Sequence, residues 1–228
     1  MTAPLILLPG MMCDARLFGP QADAIDLTVL PITAADTVEA LADAVLSQAP
    51  DWFALGGLSM GGIVAMEVVR QAPERVAGLA LMDTNPLAEA DAVRARRQPQ
   101  MDKAAAGQLE AVMRDEMKPN YLTDGPNRAG ILDLCMEMAL DLGPEVFLRQ
   151  SRALRDRPDQ CETLRRFDRP ALVLCGREDS LCPLSRHELM HQLLAKSTLS
   201  VIEGAGHLPT LEQPDKTTAA LRRWLEEI

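Results

Sequence analysis

The sequence predicts an α/β protein: a mostly parallel, doubly wound sheet of about six strands, interrupted by a helical insertion. Short apolar runs alternate with segments of helical period along residues 1–85 and again along 159–228. These runs are apolar throughout, as strands covered by helices on both faces must be. Between them, from Pro86 to Pro158, no strand-like run occurs.

The elements follow in order. Leu5-Ile6-Leu7-Leu8 is the first strand, closed by Pro9-Gly10, and Leu27-Thr28-Val29-Leu30 is the second, ended by Pro31. Asp36 and Glu39 have the spacing of a capping box, and Val38, Leu41, Ala42 and Val45 then fall on one helical face. Trp52-Phe53-Ala54-Leu55 is the third strand; the helix after it runs to about Gln71 and stops before Pro73. Val76–Met82, Ala171–Cys175 and Leu199–Ile202 are the fourth to sixth strands. From Pro214 onward, Thr217, Leu221, Trp224, Leu225 and Ile228 have the spacing of a terminal helix. Inside the insertion, Pro99, Gly107, Pro119-Asn120, Gly125-Pro126 and Gly143-Pro144 mark breaks between roughly four helices.

Composition narrows the function classes. With 47% apolar and 25% charged residues the chain is an ordinary globular protein, not a disordered one. Its net charge of −10 disfavours nucleic acid and anionic membranes as partners; a small-molecule substrate is expected on the separate ground of the motifs below. The five cysteines (Cys13, Cys135, Cys161, Cys175, Cys182) form no CxxC pair, so neither a disulfide framework nor a zinc site is expected. The N-terminus carries no basic region, and its apolar run ends at Pro9, too early for a signal peptide or a membrane span. A cytoplasmic protein without metal or organic cofactor is expected.

The chemistry-bearing string is Gly57-Leu58-Ser59-Met60-Gly61, set between the third strand and a helix. A serine flanked by glycines on a strand-to-helix turn is the pattern of a strained nucleophile elbow, where side chains at the flanking positions would collide with backbone. A serine hydroxyl needs a base and a group that orients the base. Of three histidines, His187 and His191 lie four apart in a helical stretch and read as a partly solvated face, whereas His207 sits in the Gly-rich loop after the sixth strand. For the orienting acid Asp179, after the fifth strand, is the leading candidate; Glu178 beside it and Asp83 after the fourth strand are rivals. The backbone N–H groups of Met60 and Met11 are the expected oxyanion donors, from the helix start and from the loop after the first strand.

Leu7-Leu8-Pro9-Gly10-Met11, Gly57–Gly62, Gly176-Arg177-Glu178-Asp179 and Gly204-Ala205-Gly206-His207 together resemble the α/β-hydrolase superfamily, over essentially the whole chain. The order Ser59, Asp179, His207 is that of the superfamily's triad. The resemblance implies Ser59 as nucleophile, Asp179 as acid, His207 as base, and a helical cap at 86–158 on a core formed by 1–85 and 159–228. Two departures stand out. Pro9-Gly10 replaces the family's His-Gly in the oxyanion loop, and the chain starts at the family's third strand, which leaves a sheet edge available for a homodimer. Hydrolysis of a carboxylic ester or thioester is the leading expectation. The alternatives are a C–C hydrolase, a hydroxynitrile lyase or a cofactor-free perhydrolase on the same fold, or a ligand-binding module.

Met12, Met136 and Leu208 are the expected substrate contacts. Met101, Met113, Met117, Met138, Leu132, Leu134, Leu140 and Phe147 read either as further pocket lining or as helix–helix core. Arg94, Arg96 and Arg97, or Arg149, Arg152 and Arg155, could hold a substrate carboxylate; with acidic neighbours in sequence they read first as solvated helix faces.

Overall fold

The structure, a computed structural model, describes residues 3–228. Strands β1 (Leu5–Leu8), β2 (Leu27–Val29), β3 (Phe53–Leu58), β4 (Val76–Met82), β5 (Ala171–Gly176) and β6 (Ser197–Ile202) form one sheet in the order β2-β1-β3-β4-β5-β6. All five ladders are parallel. The chain winds outward in both directions from β1 and β3, so a crevice opens between their C-terminal ends.

Alternation along the strands sorts side chains into two cores. Ile6 and Leu8 of β1 join a core with Val38, Leu41 and Val45 of α2 (Val38–Gln48) and with Val64 and Val68 of α3 (Met60–Gln71). Leu5 and Leu7 face the opposite core, with Phe18, Leu221 and Trp224. That second layer contains α1 (Gly19–Ala22), α9 (Pro209–Glu212) and α10 (Pro214–Leu225). The inner strands β1, β3, β4 and β5 are buried at every residue. The outer strands β2 and β6 are mostly half-buried, because an edge strand has a neighbour on one side only.

The helix start at α2 differs from the expected capping box. Thr37, in extended backbone, takes the cap, its hydroxyl accepting from the Ala40 N–H at 3.2 Å. Asp36 lies one residue too early and instead approaches Arg152 at 3.8 Å.

The segment between β4 and β5 is helical: α4 (Asp91–Lys103), one-turn α5 (Leu109–Ala111) and α6 (Arg128–Arg155), followed by α7 (Cys161–Arg166). Pro99 sits inside α4 and does not end it; Met101 and Ala104 beyond it are buried, and that packing carries the helix past the lost hydrogen bond. Gly107 (φ 82°) and Gly143 (φ 77°) do mark kinks. Met101, Met113 and Phe147 are buried in the first core and Met138 in the second, so the insertion shares both cores with the sheet. Helix α8 (Leu184–Leu193) links β5 to β6. Among the described residues no helix is long and apolar enough to cross a membrane.

Candidate active site

Ser59 stands between β3 and α3 at φ 54°, ψ −116°, a conformation that costs a non-glycine residue roughly 1–3 kcal/mol. Its flanking glycines are sterically required. A Cβ on Gly57 would lie 2.2 Å from the Gly61 carbonyl carbon, and one on Gly61 would lie 2.0 Å from the Leu8 carbonyl oxygen. Two further residues hold the turn. The Thr84 hydroxyl donates to the Ser59 carbonyl at 2.7 Å, and the Thr84 N–H donates to Nε2 of His187 at 3.2 Å.

His187 is therefore not on a solvated helix face: it is fully buried beneath the elbow. Its Nδ1 faces the Pro183 carbonyl at 3.4 Å, which fixes the tautomer that leaves Nε2 free to accept. Burial pushes its pKa down to about 4, keeping the ring neutral as that role requires. His191 is half-buried and bonds through Nδ1 to the Ser197 hydroxyl at 2.8 Å.

His207 meets Ser59 from the loop after β6, its Nε2 lying 2.9 Å from the Ser59 Oγ. Its Nδ1 lies 2.8 Å from Oδ2 of Asp179, whose other oxygen accepts from the N–H groups of Leu181 and Cys182 at 2.8 and 3.1 Å. Burial works against ionisation of Asp179, but His207 and these N–H groups outweigh it and hold the carboxyl below its ordinary range.

The rival acids sit elsewhere. Glu178 accepts from the Ala205 N–H at 3.1 Å, and Asp83 accepts from the Gly176 N–H at 2.8 Å. Asp83 is fully buried, at φ 43°, and its second oxygen has no partner among the described residues. Burial, reinforced by the charge of Asp179, pushes its carboxyl well above the usual range, so of the two Asp83 holds a proton the more tightly.

The His207 loop is pinned by groups that sequence alone did not single out. Its N–H donates to the Tyr121 carbonyl at 2.7 Å. Glu212 accepts from the N–H groups of Gly206 at 2.9 Å and Thr123 at 2.8 Å, tying that loop to the insertion.

Asp179, Cys182 and His207 are also the one group of metal-capable donors among the described residues, with donor atoms within 4.8 Å of one another. Burial pushes the Cys182 thiol well up, and a protonated thiol is a poor ligand.

The N–H groups of Met60 and Met11 have no hydrogen-bond acceptor among the described residues. Met60 opens α3, where the first N–H groups of a helix lack intrahelical partners. The Met11 loop is held from the insertion. The side-chain amide of Gln150 on α6, fully buried, accepts from the Met12 N–H at 2.9 Å and donates to the Ile32 carbonyl at 3.0 Å. Met12 itself sits at φ 57° with its side chain fully buried.

A cavity of about 550 Å³ opens above these groups, with Met11, Ser59, His207 and Leu208 in its lining. The insertion closes it with Leu87, Val93, Met117 and Leu154 among others. Met12 and Met136 do not line it; Met12 is buried within the first core and Met136 packs against that core. Of the insertion's candidate lining residues only Met117 reaches the cavity, because Met101, Met113, Met138 and Phe147 are used in the cores. Arg96 and Arg97 do line it, and Arg97 is largely buried against Glu89.

Known proteins resemble this chain in sequence and in fold. Pimeloyl-(acyl-carrier protein) methyl ester esterases of Neisseria meningitidis are similar in sequence: the serogroup A protein is 26% identical over 199 residues, 84% of this chain and 62% of the relative. The serogroup C protein is 27% identical over 84% of this chain and 76% of its own length. The chain thus spans less than two thirds of the first of these relatives. Among solved structures, a thermophilic esterase from Thermogutta terrifontis, with malate bound, superposes with a TM-score of 0.89 at 28% identity, covering 98% of this chain and 89% of the other. The enol-lactonase from Burkholderia xenovorans shares the fold, with a TM-score of 0.86 at 21% identity over 100% of this chain and 93% of the other. The profile of the alpha/beta hydrolase family matches residues 8–221, and the chain belongs to that family.

Proposed function

We propose that the protein is a serine hydrolase that cleaves a small to medium carboxylic ester or thioester through an acyl-enzyme. One observation carries this reading: Ser59, His207 and Asp179 form a continuous hydrogen-bonded series, and the Met60 and Met11 N–H groups have no partner among the described residues. The esterase names of the relatives support it.

In this reading His207 takes the Ser59 proton as Oγ attacks the acyl carbon. The carbonyl electrons move to oxygen, which the N–H groups of Met60 and Met11 receive; removing one such donor typically costs about 3 kcal/mol of transition-state stabilisation. Collapse expels the alcohol or thiol, which leaves with the proton from His207. Water, deprotonated by His207, then attacks the acyl-enzyme and frees the acid. Asp179 holds the imidazole in the tautomer that presents Nε2 to Ser59 and stabilises its cation. No cofactor enters these steps. The helical insertion serves as the cap, and Leu208 is the substrate contact next to the base. The free, buried thiols of Cys13, Cys135 and Cys175 suit a reducing compartment, consistent with a cytoplasmic setting.

The test is turnover of p-nitrophenyl acetate and butyrate, with a burst of p-nitrophenolate equal to the enzyme concentration. Ser59→Ala and His207→Ala are each expected to lower kcat by about a millionfold. Undiminished turnover in Ser59→Ala would remove the reading, and undiminished turnover in His207→Ala would remove the base.

A further inference from the structure

The chain carries a net charge of −10, yet the cavity wall is cationic. Four arginines line it, Arg96, Arg97, Arg157 and Arg186, against two carboxylates, Glu89 and Glu116. Glu116 is already committed, to Lys103 at 2.6 Å and to the Gln100 amide at 3.2 Å. Glu89, almost wholly buried, bridges Arg97 and Arg157, the latter at 2.6 Å. One carboxylate thus serves two guanidinium groups, while Arg96 and Arg186 form no ion pair among the described residues.

The two arginines on Glu89 differ in what they have left to give. Arg157 also donates through Nε to the Leu87 carbonyl at 3.0 Å, which fixes it as part of the wall. Burial pushes its pKa down, Glu89 opposes this, and the neighbouring Arg97 charge adds to the lowering. Arg97 uses Nε on Glu89, while its Nη1 has only the Met11 sulfur nearby, at 4.0 Å. Among the described residues no oxygen accepts from either Nη of Arg97. A guanidinium edge is thus left open in the cavity, next to the loop that carries the Met11 N–H.

We propose that this edge is a carboxylate subsite, so that the substrate is an ester bearing a second, ionised carboxylate: a monoester of a small dicarboxylic acid. The inference rests on the ester-hydrolase reading of Ser59 and names its substrate class. A planar guanidinium fork matches a carboxylate in a bidentate way, and a cleft of one charge sign raises the local concentration of the opposite ion. Arg96 and Arg186, which line the same cavity without an ion pair among the described residues, add to that field. Ile63, Leu87, Val93 and Leu154 supply an apolar lining suited to the methylenes between the two carbonyl groups. A volume of about 550 Å³ accommodates a ligand of this size.

The experiment compares kcat/KM for monomethyl glutarate and monomethyl adipate with that for the corresponding dimethyl esters. Wild-type protein is expected to prefer the monoesters by about 10- to 100-fold, the value of a hydrogen-bonded charge contact. Arg97→Gln should abolish the preference, mainly through KM of the monoester, and Arg97→Lys should retain part of it. Free adipate should inhibit competitively, more weakly as salt is raised. Equal or faster turnover of the dimethyl esters by wild-type protein overturns the inference, as does inhibition by inorganic phosphate but not by adipate. The wild-type preference and the adipate competition need no substitution, so an Arg97 variant that does not fold leaves the test standing. Wild-type protein that labels at Ser59 with a fluorophosphonate but shows no monoester preference loses the subsite alone; protein that does not label loses the hydrolase reading beneath it as well.

Discussion

The strand ends and the helical insertion face one cavity but fix their polar groups by different means. On the strand side, Ser59, Asp83, Asp179 and His207 each follow a strand by a few residues, and backbone does most of the fixing. Ser59 is held by its own strained turn and by Thr84, Asp179 by two N–H groups, and His207 by the Tyr121 carbonyl. On the insertion side, side chains hold side chains: Glu89 spans Arg97 and Arg157, and Glu116 binds Lys103 and Gln100. Backbone-fixed groups tolerate little displacement and suit bond making. A wall of paired side chains can be rewritten by substitution without moving the sheet, and suits the choice of substrate.

That contrast predicts that changes on the strand side lower kcat for every ester alike, whereas changes on the insertion side depend on the ester. After the Ser59 and His207 substitutions, the largest effect should come from Asp179→Asn, expected to lower kcat by about ten-thousandfold for neutral and anionic esters equally. A loss confined to one ester class would break the division.

His187 comes next, and it reads through stability. Its folded pKa of about 4 lies below the ordinary 6.5, so between these values the unfolded chain binds a proton that the folded chain does not. Stability is therefore complete above the upper value and falls as pH drops toward the lower one, by up to about 3 kcal/mol. Denaturant melts across that window should show the fall in wild-type protein and a flatter profile in His187→Gln. A wild-type midpoint independent of pH there would mean that His187 is not buried neutral beneath Thr84.

Gln150 sharpens the boundary, because it belongs to the insertion yet holds the Met11 loop of the core. Gln150→Leu strands the Met12 N–H and the Ile32 carbonyl, and a misplaced oxyanion donor should lower kcat by about 10- to 100-fold. The loss should be uniform across esters, unlike that of Arg97→Gln. The smallest effect is expected for Asp83→Asn, which keeps the shape and neutrality of the residue and should leave kcat within about threefold. A large loss would show that Asp83 is ionised in the working enzyme.

The same contrast explains what was legible in the chain. The strands were readable because β1, β3, β4 and β5 are apolar at almost every position, and the elbow because steric conflict dictates glycine at 57 and 61. Asp179 and His207 could be found because parallel sheets gather loops at one edge. Thr84, Gln150, His187 and Glu212 gave no comparable signal. Their long-range partners lie 25 to 138 residues away, and nothing in the local pattern distinguishes a buried glutamine on α6 from a solvated one. The arginine-rich stretch of α4 likewise reads as a solvated face until Glu89 and Arg157 are brought against it.

The central claim is that Ser59 is a nucleophile activated at this elbow, and fluorophosphonate labelling of the folded protein tests it most directly. A single adduct on the peptide containing Ser59, absent in Ser59→Ala and strongly slowed in His207→Ala, is the predicted result. No adduct on folded protein, or the same adduct in Ser59→Ala, would contradict it.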